Sequence, residues 1–196
     1  MSTDVDADRR RFLTTSVAVV GGVAAVGVAV PFVAAWQPSE RARALGAPIE
    51  ADISKIEPGQ RLIYKWRGKP VWIVSRTPAI LEALPTLDDR LRDPESTQDQ
   101  QPPYCQNEYR SIKPEILVVI GICTHLGCSP LYIKKGEPPL GAGWPGGFFC
   151  PCHGSRFDYA GRVFEGVPAP TNLVVPPYEY LSDTRILIGT DKGSAT

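Results

Sequence analysis

Cys123-Thr124-His125-Leu126-Gly127-Cys128 and Cys150-Pro151-Cys152-His153-Gly154-Ser155 together hold four of the five cysteines and both histidines of a 196-residue chain. Each segment offers a Cys and a His at close spacing, C-x-H in the first and C-x-x-H in the second, within Gly- and Pro-rich sequence. That spacing lets two side chains of one loop converge on a metal, and two such loops supply four donors. The apolar run 116–120 leads directly into the first segment and 146–149 into the second, and both are strand candidates. Two hairpin tips meeting at one end of a β domain would unite the donors. Zinc commonly takes such a Cys and His set. Each loop also carries a further cysteine, Cys128 or Cys152, for which zinc has no need. In an oxidising compartment two spare cysteines on adjacent loops pair, which would fix one ligand pair relative to the other.

The rest of the composition agrees with a small β domain. Lys+Arg and Asp+Glu number 21 each, so the formal net charge is zero, which argues against a nucleic-acid partner held through a basic surface. A hydrophobic fraction of 43% with 21% charged residues excludes a largely disordered chain. With 18 Gly and 20 Pro, an all-β or loop-rich fold is favoured over a helical bundle.

The chain begins differently. Asp4, Asp6, Asp8, Arg9, Arg10 and Arg11 crowd the start, and residues 12–36 then carry no charge. About 20 apolar residues suffice to cross a bilayer as a helix. The run is longer than the roughly 7–15 apolar residues of a cleaved signal, although Ala34-Ala35 could be a cleavage site, and it shows no polar face. A retained transmembrane helix over 12–36 is therefore expected, with Pro31 near its far end and Trp36 at the interface. Arg9-Arg10-Arg11-Phe12-Leu13 resembles a twin-arginine export signal, with Asp8 where that pattern prefers Ser or Thr. Residues 1–11 would stay cytoplasmic, 37–47 would be a flexible linker, and 48–196 an exported head. Within the head, 61–66 and 71–75 read as a hairpin about Arg67-Gly68-Lys69. Thr77 and Pro78 open a short helix over 77–84. Residues 88–107 read as a polar surface excursion, and 172–175 and 185–188 as later strands.

The motifs CTHLGC and CPCHGS resemble, position by position, those of Rieske iron–sulfur proteins, and more narrowly the Rieske subunits of bacterial ubiquinol–cytochrome c reductases, the cytochrome bc complexes. The run 161–170, GRVFEGVPAP, is similar to their Pro-rich loop, and the order of anchor, linker and head matches too. The resemblance implies a transmembrane helix plus a mainly antiparallel all-β head, with a small cluster-binding subdomain within about 121–171. It implies one [2Fe–2S] cluster, with Cys123 and Cys150 on one iron, His125 and His153 on the other, and a Cys128–Cys152 disulfide. His153 would contact quinol, Leu126 would help form the docking surface, and Gly166, Pro168 and Pro170 would belong to the loop that covers the cluster. Ser155 matches the family's serine donor to a bridging sulfur. Phe157 stands where many members have a Tyr whose hydroxyl bonds a ligand sulfur, which implies a lower potential here. The implied partners are cytochrome b, a membrane-anchored c-type cytochrome, ubiquinol and membrane lipid, in a dimeric complex of the bacterial inner membrane with the head periplasmic. The implied activity is quinol oxidation with proton release, the electron passing to the c-type cytochrome. Two other readings remain: the Rieske small subunit of another exported oxidoreductase such as arsenite oxidase, and a non-redox zinc module. Cys105 is left over, as a free thiol or an intermolecular bridge.

Overall fold

A computed structural model describes residues 6–134 and 144–191. The chain divides into an N-terminal unit ending at Ala44 and a second unit from Leu45 onward. In the first, helix α1 (Ala7–Ala34) starts under an Asp6 cap whose carboxylate accepts the N–H of Asp8 and Arg9. The helix thus begins five residues before the uncharged run and takes in all three arginines. Its 28 residues, with no buried side chain, are long and apolar enough to cross a membrane. The stretch expected to be a flexible linker carries a further helix, α2 (Glu40–Gly46). The Ser39 hydroxyl receives the N–H of Ala42, a Glu40–Arg43 ion pair follows, and Arg and Ala are good helix formers, which explains the difference.

The second unit is antiparallel throughout. Among the described residues it contains three three-stranded sheets. One joins β1 (Ile49–Asp52) to β8 (Tyr178–Ser182) through β9 (Arg185–Ile188). The second runs β2 (Arg61–Trp66), β3 (Lys69–Ser75), β4 (Ile116–Ile120). The third runs β5 (Leu131–Ile133), β6 (Gly147–Phe149), β7 (Arg156–Phe157). The β2–β3 hairpin turns on Arg67 and Gly68, both with positive φ (49° and 74°), the backbone that matches strand twist. β4 is buried along its whole length and forms the core with Trp72, Phe148 and Phe157. Immediately after β4, Gly121 lies so close to the Trp72 ring that any β-carbon there would collide with it.

Three expectations change. The helix at 77–84 is only α3 (Pro78–Leu81), capped by Thr77 and followed by a 3₁₀ turn, Pro85–Arg90. Residues 172–175 form no strand, because their backbone serves unrelated segments: Leu173 N–H donates to Gly161 O, Val175 N–H to Gln100 O, and Val174 O accepts from Ile120 N–H. The 88–107 segment runs over the surface with most of its residues exposed, but it is also anchored inward. It buries Leu91, Asp93, Ser96 and Cys105 and bonds to the 160s and 170s. Cys105 is a free thiol at 0% exposure, which excludes an intermolecular bridge, and burial pushes its pKa up to about 11.

Candidate metal centre

The two Cys/His segments follow β4 and β6 and fold into turns with the same backbone bonds. Cys123 N–H donates to Cys128 O and Gly127 N–H back to Cys123 O, at 2.7 and 3.1 Å. Cys150 N–H donates to Ser155 O and Gly154 N–H back to Cys150 O, at 2.8 and 2.9 Å. Gly127 and Gly154 have φ of +84° and +79°, a conformation other residues adopt with strain. A Cys128–Cys152 disulfide, with Cα atoms 6.7 Å apart, ties the turns together. Cys123 and Cys150 remain free thiols at 2% and 1% exposure. The imidazoles of His125 and His153 meet edge to face, with ring centroids 4.7 Å apart. The sulfurs of Cys128, Cys150 and Cys152 also lie within 4.8 Å of one another, but the disulfide takes two of them and leaves Cys150 as the only thiolate donor of the three.

The residues carry the marks of a ligand set. His125 Nδ1 is buried and has no hydrogen-bond partner, as suits a metal-ligand atom. Burial raises the Cys123 pKa, against the opposing effect of the His125 backbone N–H and the Ser155 hydroxyl. The environment is asymmetric outward: His153 is exposed and Leu126 is 71% exposed at the tip, while His125 is half-buried. Phe157 is fully buried in β7 opposite Phe148 and brings no hydroxyl.

The 166–170 loop approaches both turns. Thr124 Oγ1 donates to Thr171 O at 2.7 Å, and Ala169 N–H donates to Ser155 Oγ at 3.0 Å. Gly166, Pro168 and Pro170 are exposed, and Ala169 between the prolines is buried. Sequence reasoning missed Thr124, Ala169 and a buried pair, Asp158 and Arg162, although the pair's i, i+4 spacing around Gly161 is visible in the sequence. Arg162 Nε donates to Asp158 Oδ2 at 2.7 Å, with both side chains at 1% exposure or less.

Comparison with known proteins shows the family. The Rieske [2Fe-2S] domain matches residues 105–179, and the "Ubiquitinol-cytochrome C reductase Fe-S subunit TAT signal" matches residues 1–39. The "Ubiquinol-cytochrome c reductase iron-sulfur subunit" of Allochromatium vinosum is 63% identical over 95% of this chain and 91% of that protein. The chain belongs to this family of Rieske iron–sulfur subunits. Its Bradyrhizobium diazoefficiens relative of the same description is 44% identical over 96% of this chain and 100% of its own. The Rieske subunit of the mitochondrial cytochrome b-c1 complex of Schizosaccharomyces pombe is 41% identical, covering 93% of this chain and 73% of its own. The Rieske cofactor is a [2Fe–2S] cluster, and two buried thiols beside two adjacent imidazoles are the donor chemistry such a cluster takes.

Proposed function

We propose that Cys123 and Cys150 hold one iron and His125 and His153 the other, and that the head oxidises ubiquinol at cytochrome b. The electron then passes to a membrane-anchored c-type cytochrome. What carries this reading is the unequal exposure of the paired imidazoles: both rings lie together, and His153 is the more exposed of the two.

When bound, the cluster supplies a one-electron acceptor whose imidazole ligands place its potential roughly between −150 and +300 mV, against about −400 mV for all-thiolate plant-type centres. The chain's own residues do the rest. The disulfide holds both turns in register. Burial of Cys123 and Cys150 excludes water from the sulfurs, and Gly166, Pro168 and Pro170 extend that cover. His153 presents a ring nitrogen to the surface, where it accepts a hydrogen bond from the quinol hydroxyl and takes its proton, which is released later. Leu126 contributes apolar surface to docking on cytochrome b. Ser155 donates to sulfur and raises the potential, while Phe157 cannot do so.

The apolar α1 and its arginines support an anchor in the bacterial inner membrane, with the N-terminus cytoplasmic and the head periplasmic. The complex is read as a dimer that contains both cytochromes. The names of the full-length relatives favour this reductase over an arsenite oxidase.

Membranes carrying the full chain test the proposal. After reduction they should give the electron paramagnetic resonance signal of a His-ligated cluster, and His153→Ala should abolish both that signal and quinol-dependent cytochrome c reduction. A His153→Ala protein that keeps both would refute the assignment. A silent spectrum with bound zinc would return the site to a non-redox module.

A further inference from the structure

The two turns hang from different sheets: the Cys123 turn leaves β4 of the second, and the Cys150 turn leaves β6 of the third. A closed set of four side chains joins those sheets. The Arg61 guanidinium carbon lies 4.5 Å from the centre of the Trp72 ring, and Trp72 stacks on Phe148 at 5.3 Å. Phe148 meets Tyr132 at 5.7 Å, and Tyr132 comes back to the Arg61 guanidinium at 5.7 Å. Arg61 and Trp72 belong to β2 and β3, Tyr132 and Phe148 to β5 and β6. Arg61 stands opposite Val74 in the hairpin, so Trp72 is its diagonal neighbour on the same face. The Tyr132 hydroxyl donates to Gly59 O at 3.2 Å, just ahead of β2. Trp72 also fills the space beside Gly121, two residues before Cys123, and Phe148 stands two residues before Cys150.

Arg61 is half-buried and forms an ion pair with no carboxylate among the described residues. Its charge is met instead by aromatic rings, and a flat guanidinium suits ring faces better than a compact ammonium does. From this arrangement we infer that Arg61 is a positioning residue for the metal centre: by bridging Trp72 and Tyr132 it holds the two sheets, and so the two ligand turns, at a fixed separation. The disulfide ties the turns at their tips, and Arg61 ties them at their roots. The inference rests on the ligand assignment proposed above. Loosening the root lets the ligand pairs drift apart in local openings while the rest of the head stays folded.

The test uses membranes carrying the full chain, reduced and then exposed to bathophenanthroline disulfonate, a ferrous chelator. The readouts are the line width of the Rieske resonance before the chelator is added and the rate at which the resonance is then lost. Arg61→Gln should broaden the resonance, because the ligand pairs sample a wider range of separations. It should also quicken the loss by about 2- to 30-fold, the range that one cation–π contact is worth. Arg67→Gln is the matched control: its guanidinium lies 4.6 Å from the Trp66 ring, but both residues sit in the β2–β3 hairpin and bridge no sheets. It should leave line width and rate at the parent values. In a Tyr132→Leu background, which lacks the far ring, Arg61→Gln should add much less than it does in the parent. A parental line width or a parental rate in Arg61→Gln overturns the inference. So does an equal effect of Arg67→Gln, or an undiminished effect in the Tyr132→Leu background. If Arg61→Gln does not assemble, Arg61→Lys keeps the charge and loses the flat face, and a parental rate in that variant overturns the inference while a faster one supports it. Absence of the resonance from the unaltered chain would instead overturn the ligand assignment.

Discussion

Arg162→Met should destabilise the head strongly, because it takes away the guanidinium that bonds the buried Asp158 and leaves Arg76 and Arg110 to act on that carboxylate without a bond to it. Arg162 Nε donates to Asp158 Oδ2 at 2.7 Å, and its terminal nitrogens donate to Asp88 Oδ1 and Leu84 O at 2.8 Å and to Pro94 O at 3.2 Å. One side chain thus joins the 84–94 segment to the stretch just after β7. Met fills comparable volume, but Asp158, at 0% exposure, would keep only the N–H bonds of Ala160 and of residue 162 itself. Breaking a buried pair by removing one partner costs about 3–5 kcal/mol. For a domain of this size each kcal/mol lowers the Tm by about 2–4 °C, so a fall of roughly 6–20 °C is expected. The assay is a thermal ramp of the full chain in detergent, followed by the visible circular dichroism of the cluster. Asp158→Asn withdraws the countercharge of the buried Arg76 and Arg110 as well and should itself lower the Tm. The reasoning is refuted if either Arg162→Met or Asp158→Asn melts with the parent.

Other outcomes follow from single contacts. Phe157→Tyr should raise the potential: one tenfold step is 59 mV for one electron, so a bond stronger by about 1 kcal/mol in the reduced state gives about 40 mV. Protein-film voltammetry without an upward shift would count against a sulfur-directed hydroxyl at 157. Cys128→Ser opens a cross-link with a sequence separation of 24, which chain entropy values at about 3.5 kcal/mol. Guanidinium titration should show the cluster lost at lower denaturant, and a parental midpoint would contradict the tie between the turns. Burial raises the Asp93 pKa, but bonds from the Thr97 and Gln98 N–H groups and the Thr97 hydroxyl outweigh it, so the folded value is lowered. A depressed carboxyl contributes stability above its unfolded pKa of about 3.9 and loses it as pH falls through the folded value. Asp93→Asn should therefore flatten the pH dependence of stability below about pH 4, and an unchanged acid limb would remove Asp93 from the account. Thr124→Val deletes the bond to Thr171 O and should quicken hydrogen exchange in the 166–171 loop, as mass spectrometry would show.

Local signals were legible where one segment carried the whole cause. The β2–β3 hairpin could be read because Arg67-Gly68 suits a turn with positive φ, and β4 and β9 because each is a short apolar run between breakers. The two Cys/His turns were visible for the same reason, since their spacing and glycines lie within six residues each. Residues 172–175 misled because an apolar run does not say which neighbours will take its amides, and here Gly161, Gln100 and Ile120 share them. The 88–107 segment looked solvated by composition. Its polar groups in fact meet buried partners far off in sequence, as when Asn172 Nδ2 donates to Asp93 O at 3.0 Å. The bond from Ala169 N–H to Ser155 Oγ joins residues 14 apart, beyond any local pattern.

The matching pair of turns has one more consequence. Built on the same backbone scaffold, they still leave one imidazole half-sheltered and the other in a doorway. The pair therefore has a near and a far side. A molecule arriving from outside meets the His153 ring more readily than the His125 ring, so equivalent changes in the two turns are not equivalent to the visitor.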